Sequence, residues 1–499
     1  MRRLHDLLDE RALAGPHRPA VATDAAAWTF AELRDRARGL ARDVIGPVAR
    51  PGDRVLLQGG NSPELAAAVF ACSYAGAVAV VLHPDVKPFH LRHIAADCGA
   101  VLALADAPLL DACRGLGIRS ADLAVAGTGS GGGAARPDTG ERRPASDPAC
   151  LIYTSGSTGM PKGVVSPHSQ MLFAVRAIGE VLGYRADDVV FCCLPLSFDY
   201  GLYQLLLSVA AGSLLHLADQ RAAGPALPGR LAAAGATVLP LVPSLADTLL
   251  RMLGRGSPVP ARLRLITNTG AVLPEAVIAA LGELLPAAEV APMYGLTECK
   301  RVSVTEPGDR RPGSVGRPLP GTVCRVVDET GGELPPGAVG ELTVAGPHVM
   351  PGYWNAPELT ARRFRPDAAG TVWLHTGDLF RADADGYLYF VGRHDDVYKV
   401  NGFRVGAAEV EAAALDVPGV SGAAVLPPER GRPARLFVTG SATAHDVVAG
   451  LAERIERFKV PGECTVVERL PLTPHGKVDR AALAALAGGA PTLIPGGSR

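Results

Sequence analysis

LIYTSGSTGMPKGVV, residues 151–165, decides how this chain is read. An apolar run enters a string of Thr, Ser and Gly, then leaves through a lysine into a second apolar run. Small residues let backbone N–H groups close on an anion, hydroxyls add donors, and Lys162 adds positive charge, so the stretch suits phosphates. It is not a Walker loop: counted from Gly156, the second glycine position holds Pro161, and Gly163 stands where a Ser or Thr would meet magnesium. Its own chemistry marks a nucleotide or phosphate binder; the alternative is a flexible Ser/Gly surface turn.

On the N-terminal side, between Trp28 and Leu110, amphipathic helix patterns (AELRDRARGLARDV, SPELAAAVFACSYAG) alternate with short β-rich runs (DRVLLQ, AVAVVLHP, AVLALA). That alternation predicts parallel strands covered by helices. Residues 127–148 lose all periodicity in favour of Gly, Pro and charge and read as a solvent loop. Gly127, Gly129 and Gly132 satisfy G-x-G-x-x-G there, but the following AARPDTGERRP cannot supply the helix that a dinucleotide fingerprint must open.

On the C-terminal side the βα rhythm resumes to about Ala291, with strands expected at CLIYT, VVFCCLP, TVLPLV and LRLITNT. From Gly316 to Gly346 the pattern changes to antiparallel hairpins (VCRVVDE, a Gly331-Gly332 turn, GELTVAG). A later hairpin pattern, DADGYLYFVGRHDDVYKV, leads into a final small α+β unit. The expected architecture is α/β: a large N-terminal domain, residues 1–394, of βα-layered sheets with a small β-barrel-like subdomain, then a small mobile α+β C-terminal domain, residues 395–499.

With 499 residues the chain exceeds one ordinary core. Lys plus Arg (49) nearly cancels Asp plus Glu (50), so no overall field draws it to nucleic acid or an anionic membrane. The start, MRRLHDLLDERALAG, carries charges through what would be a signal peptide's apolar stretch, and no later segment is uncharged and apolar over a membrane span, so a cytoplasmic location is expected. The nine cysteines fit neither a metal knuckle nor a disulfide framework and read as core thiols, with Cys299 the one to watch.

TSGSTGMPKG resembles the signature of the adenylate-forming superfamily, which includes acyl-CoA synthetases, adenylation domains of nonribosomal peptide synthetases, and luciferases. Six further motifs follow in the family's order: WTFAEL (28–33), MYGLTE (293–298), ELTVAGPHVMPGYWN (341–355), HTGDL (375–379), GRHDDVYKVNGFRV (392–405) and PLTPHGKVDR (471–480). The resemblance implies an AMP-forming ligase that uses ATP and Mg²⁺ to make an acyl-adenylate and passes the acyl group to a thiol.

It also implies roles residue by residue. Thr154, Ser155, Gly156, Ser157, Thr158 and Gly159, with Lys162, cradle the β- and γ-phosphates. Gly270, Ala271, Met293 and Tyr294 form the adenine slot, Tyr294 stacking on the base; Thr297 reaches the α-phosphate and Glu298 holds Mg²⁺. Asp378 accepts from the ribose hydroxyls with Arg393 close by. Taken singly, YGLTE could be a strand and turn, and TGDL a helix cap. Lys477 is the expected catalytic group, its ammonium stabilising charge that develops as a carboxylate attacks the α-phosphorus. Asp395 falls on the family's hinge, and Lys399, Gly402 and Arg404 line the thiol's tunnel.

The acid is read from LPLSFDYGLYQ, residues 194–204. Asp199 follows Thr154 at a spacing similar to that of the aspartate which pairs with the substrate ammonium in amino-acid-activating relatives. A carboxylate buried in an acyl pocket needs a cation, which an amino-acid substrate supplies; the alternative is an Asp capping the next helix. Those relatives continue with a small pair, whereas here Tyr200 and Gly201 follow. Phe198, Tyr200, Tyr203, Thr267 and Thr269 are candidates to shape the pocket, and Arg301 to grip a second carboxylate, as suits a β-amino or aspartate-like acid. The tail APTLIPGGSR lacks a carrier attachment pattern, so the chain is expected to be freestanding. Its acceptor is then the phosphopantetheine of a separate carrier protein, the alternative being an acyl- or aryl-CoA ligase that uses CoA.

Overall fold

The structure, a computed structural model, describes residues 3–126, 144–154, 160–270, 273, 275–393, 397–400, 403–429, 432–471, 478 and 480–486. Its contacts divide the chain into two units: Met1–Pro84, Ala95–Tyr153 and Gly163–Gly392 form the first, and Asp85–Ile94, Thr154–Lys162 and Arg393–Arg499 the second. The G-x-G-x-x-G glycines lie outside the described residues.

Two large sheets carry the βα rhythm. One runs in the order Arg119–Asp122, Ala100–Ala105, Arg54–Gln58, Val78–Leu82, Pro148–Thr154, Lys162–Pro167. The other has nine strands, with Val238–Leu241, Leu265–Asn268 and Glu289–Tyr294 adjacent and parallel. The apolar runs foreseen at 54–58, 78–82, 238–241 and 265–268 are all strands, nearly every side chain buried, as parallel strands covered on both faces require. A five-stranded antiparallel sheet follows, pairing Val323–Val327 with Gly340–Ala345 and that strand with Val372–Ala382.

Local chemistry explains the helix starts. In WTFAEL the Thr29 hydroxyl accepts from Glu32 N at 3.2 Å while Thr29 N donates to the Glu32 carboxylate at 2.7 Å, a reciprocal cap that opens helix Phe30–Leu40. Helix Pro63–Ala75 starts on a Ser62 cap with Pro63 in its first turn and stops at Gly76, φ +72°. The amphipathic pattern expected for this stretch is not what forms: the helix is apolar nearly all round and Leu65 through Ser73 are buried, which is where such a helix belongs. All nine cysteines are free thiols, eight of them buried. Among the described residues no helix is long and apolar enough to cross a membrane.

In the second unit Val420–Leu426, Arg435–Gly440 and Glu463–Val466 form one sheet, and Val397–Val400 pairs with Phe403–Gly406. The DADG pattern turns the chain between Val372–Ala382 and Leu388–Arg393, whereas Val397–Val400 belongs to the separate ribbon. The second unit also buries four ionisable groups together. Lys459 Nζ lies 2.6 Å from Glu409 and 2.9 Å from Glu456, and the His90 ring nitrogens lie 3.4 and 3.6 Å from the same two carboxylates. The imidazole and carboxylate atoms are spaced as a divalent cation would accept, but the Lys459 ammonium already bridges both acids. Removing it leaves buried negative charge without its strongest partner. Lys459→Met is therefore expected to destabilise the second unit by about 3–5 kcal/mol in chemical denaturation, and Glu409→Gln added to it to recover part of the loss.

Candidate active site

The carboxyl ends of Leu265–Asn268 and Glu289–Tyr294 lie side by side, the edge at which parallel sheets receive ligands. Gly270, φ +92°, turns the chain beyond the first, and Met293 and Tyr294 close the second. The Tyr294 hydroxyl donates to Asp378 Oδ2 at 2.6 Å, and its ring meets Phe380 edge-on at 4.6 Å. Burial, with Asp378 beside it, pushes the Tyr294 phenol well above its ordinary value, so it stays a donor. Thr297 is half-buried and Glu298 buried on the turn that follows.

HTGDL is a strand with a bulge, not a helix cap. Glu341 pairs with Leu379 and Thr343 with His375, so Thr376, Gly377 and Asp378 together face the single residue between. Gly377, φ +70°, makes the bend; its N–H donates to Glu341 at 2.9 Å, and the Thr376 hydroxyl donates to the Leu342 carbonyl at 2.7 Å. The bulge is thus held on both sides, and Asp378 rides on it.

Asp199 opens helix Asp199–Ala211 but does not cap it: its carboxylate sits 3.1 Å from the ammonium of Lys300. Lys300 also donates to the Ser166 hydroxyl at 2.9 Å. Neighbouring Arg301 donates to Thr269 at 2.9 Å, and its guanidinium carbon lies 5.3 Å from the centroid of the Tyr200 ring, which is fixed by a 2.6 Å bond to Thr267. Lys300 is 1% exposed, Arg301 5% and Asp199 8%. Burial pushes the Asp199 carboxyl above the usual carboxylate range, Lys300 and Arg301 opposing it only in part. Arg301 is pulled down by the same loss of water. Its Nε and the buried Tyr203 hydroxyl have no hydrogen-bond partner among the described residues. Phe198 is the half-buried residue preceding the helix.

Backbone shape makes this cluster possible. Lys300 adopts φ +62°, the left-handed region that a non-glycine residue occupies at a cost. A Cβ at Gly295 would lie 2.2 Å from the Lys300 carbonyl, and one at Gly201 2.1 Å from that of Pro195. Gly201 is thus what lets the helix start approach residues 194–195 closely. Cys299 is fully buried, with its thiol pushed up by burial, and is a packing residue.

Other expected site residues are placed singly. Thr154 ends one strand and Lys162 begins another. Lys399 and Arg404 stand opposite each other in the ribbon Val397–Val400/Phe403–Gly406, and Arg393 ends strand Leu388–Arg393. Ser155, Gly156, Ser157, Thr158, Gly159, Ala271, Asp395, Gly402 and Lys477 lie outside the described residues, as do the side chains of Arg393, Lys399 and Arg404. Sequence reasoning missed Lys300 and Ser166. The adjacent Lys-Arg pair within the apolar run after MYGLTE was a signal for Lys300; Ser166 offered none.

The chain matches the AMP-binding enzyme model over residues 8–354 and the AMP-binding enzyme C-terminal domain over 409–477. Tyrocidine synthase 3 of Brevibacillus parabrevis is 30% identical over 96% of this chain, which spans 8% of that protein's length. The crystal structure of VinN, of which complexes with L-aspartate and 3-methylaspartate also match, is 41% identical over 78% of this chain and 98% of VinN, TM-score 0.71. A malonyl-CoA ligase bound to methylmalonyl-CoA and AMP is 30% identical over 91% of this chain and 97% of its own, TM-score 0.78. Fold and matches together define an ATP-using acid–thiol ligase that activates carboxylic acids as adenylates. The chain belongs to the AMP-binding enzyme family.

Gly295→Ala is expected to displace Lys300 and Arg301. It should lower stability by about 1–3 kcal/mol in thermal unfolding and depress ATP–pyrophosphate exchange far more than that loss accounts for.

Proposed function

We propose that the enzyme activates an amino dicarboxylic acid of the aspartate type and transfers it to the phosphopantetheine thiol of a separate carrier protein. The observation that supports this reading is a buried acid, Asp199, close to a buried Arg301 whose Nε has no hydrogen-bond partner among the described residues, with burial disfavouring the charged form of each. A ligand bearing an ammonium and a free carboxylate at once relieves both. The ammonium would go to Asp199 and the free carboxylate to Arg301, using its open Nε, while Tyr203 supplies a further donor. The likeness to VinN, with its L-aspartate and 3-methylaspartate complexes, supports the same class.

A second reading has its own observation. Asp199 already has a protein cation, Lys300, so a dicarboxylate without an amine would still find Arg301, as the malonyl-CoA ligase likeness allows. CoA would then be the acceptor.

The remaining roles follow the family. Glu298, a buried carboxylate oxygen donor, fits Mg²⁺ in type and would hold it, and the ion when bound would neutralise phosphate charge. Thr154 to Gly159 and Lys162 hold the phosphates; Gly270, Ala271, Met293 and Tyr294 the adenine; Asp378 and Arg393 the ribose; and Thr297 the α-phosphate. Lys477 bridges the attacking carboxylate and the α-phosphate, Asp395 serves as hinge, and Lys399, Gly402 and Arg404 guide the thiol.

ATP–pyrophosphate exchange across aspartate, 3-methylaspartate, succinate, malonate, β-alanine and leucine tests the substrate. Aspartate-type acids should lead, with Arg301→Leu losing on the order of 10²- to 10³-fold in kcat/KM for them. Asp199→Asn should lose as much for aspartate and little for succinate. A lead for malonate or succinate that survives Asp199→Asn would favour the second reading. Separately, Lys477→Ala should slow adenylate formation by roughly 10²- to 10³-fold while sparing thiol transfer from a supplied adenylate; equal loss in both half-reactions would contradict its role.

A further inference from the structure

Residues 341–355 match the family, yet the run PGYWN within them has no chemical task in the reading above. Tyr353 is 5% exposed, and its hydroxyl donates to Glu298 Oε1 at 2.6 Å. Met350 N–H donates to the Glu298 carbonyl at 2.8 Å, so one short segment grips this acid by backbone and side chain.

The same segment is pinned from behind. Tyr353 N donates to Thr360 Oγ1 at 2.9 Å, and the ring packs edge-on against Phe364 at 5.8 Å. Gly352 O accepts from Val165 N at 3.0 Å, and Trp354 N donates to Gly163 O at 2.7 Å, a short antiparallel bridge centred on Val164 and Tyr353. Gly163 follows directly on Lys162 in the phosphate-loop signature.

We infer that Tyr353 is a positioning residue for the cation: its hydroxyl fixes the orientation of the Glu298 carboxylate and ties it to the strand that leaves the phosphate loop. The inference rests on Glu298 as the Mg²⁺ residue. A phenol donating to a carboxylate at 2.6 Å is a charge-assisted bond, and it comes from a group held on three sides, so its loss lets the acid turn rather than merely weakening the packing. Partners of this kind govern metal affinity by about 10- to 100-fold.

Tyr353→Phe keeps the ring on Phe364 and removes only the donor. The test measures Mn²⁺ binding to the ATP-loaded enzyme by electron paramagnetic resonance, and the Mg²⁺ dependence of pyrophosphate exchange. Tyr353→Phe should weaken Mn²⁺ by about 10- to 100-fold and raise the half-saturating Mg²⁺ in step, with kcat largely restored at saturating Mg²⁺. Phe364→Leu, which loosens the same packing but keeps the hydroxyl, should lower the melting temperature and leave Mn²⁺ affinity alone. If Glu298→Gln weakens Mn²⁺ while Tyr353→Phe does not, or if Phe364→Leu weakens it as much as Tyr353→Phe, the positioning role is wrong. If Glu298→Gln itself leaves Mn²⁺ affinity unchanged, the cation assignment fails and the positioning role with it.

Discussion

An acid and an ammonium buried side by side, Asp199 and Lys300, are the constraint around which Ser166, Arg301 and the turn after Tyr294 are arranged. Taking both charges out of water costs several kcal/mol each, and their attraction offsets that only with good geometry and further partners. Here the Ser166 hydroxyl accepts a hydrogen bond from Lys300, and Arg301 adds positive charge. To bring Lys300 to that point the chain adopts a left-handed turn at a bulky residue, and Gly295 leaves room for the turn's carbonyl. The strain and the glycine are the conditions under which Lys300 reaches this carboxylate.

Lys300 and Arg301 favour the Asp199 anion and Glu298 opposes it, and neither Asp199 nor Arg301 is fully relieved of its burial. Apolar side chains of similar volume often replace such a buried pair at little or no loss of stability. The second unit holds a comparable cluster, in which Lys459 reaches both Glu409 and Glu456 at hydrogen-bonding distance while burial still pushes the Glu409 carboxyl up.

Much of the scaffold was legible because it follows local rules. The Thr29–Glu32 cap and the Ser62, Pro63 and Gly76 signals lie within a few residues of what they control, and the buried parallel strands announce themselves by unbroken apolar runs. The site was legible only in part. Asp199 and Arg301 stood out by residue type, but the Lys300 partnership spans about a hundred residues of sequence, and a left-handed lysine has no sequence signature. HTGDL could be read as a helix cap because a bulge depends on the partner strand, and the partner's Glu341 lies in another motif. Tyr353 was passed over for the same reason: its hydroxyl matters only once Glu298 is opposite it.

Recognition of the acid by this charge cluster would be seen in a crystal structure of the enzyme with an aspartyl-sulfamoyl adenosine. The ligand's ammonium is expected within hydrogen-bonding reach of Asp199 and its free carboxylate on Arg301, with Tyr203 turned to the ligand. A ligand whose ammonium and free carboxylate both face solvent, with the Asp199, Lys300 and Arg301 contacts unchanged, would contradict it.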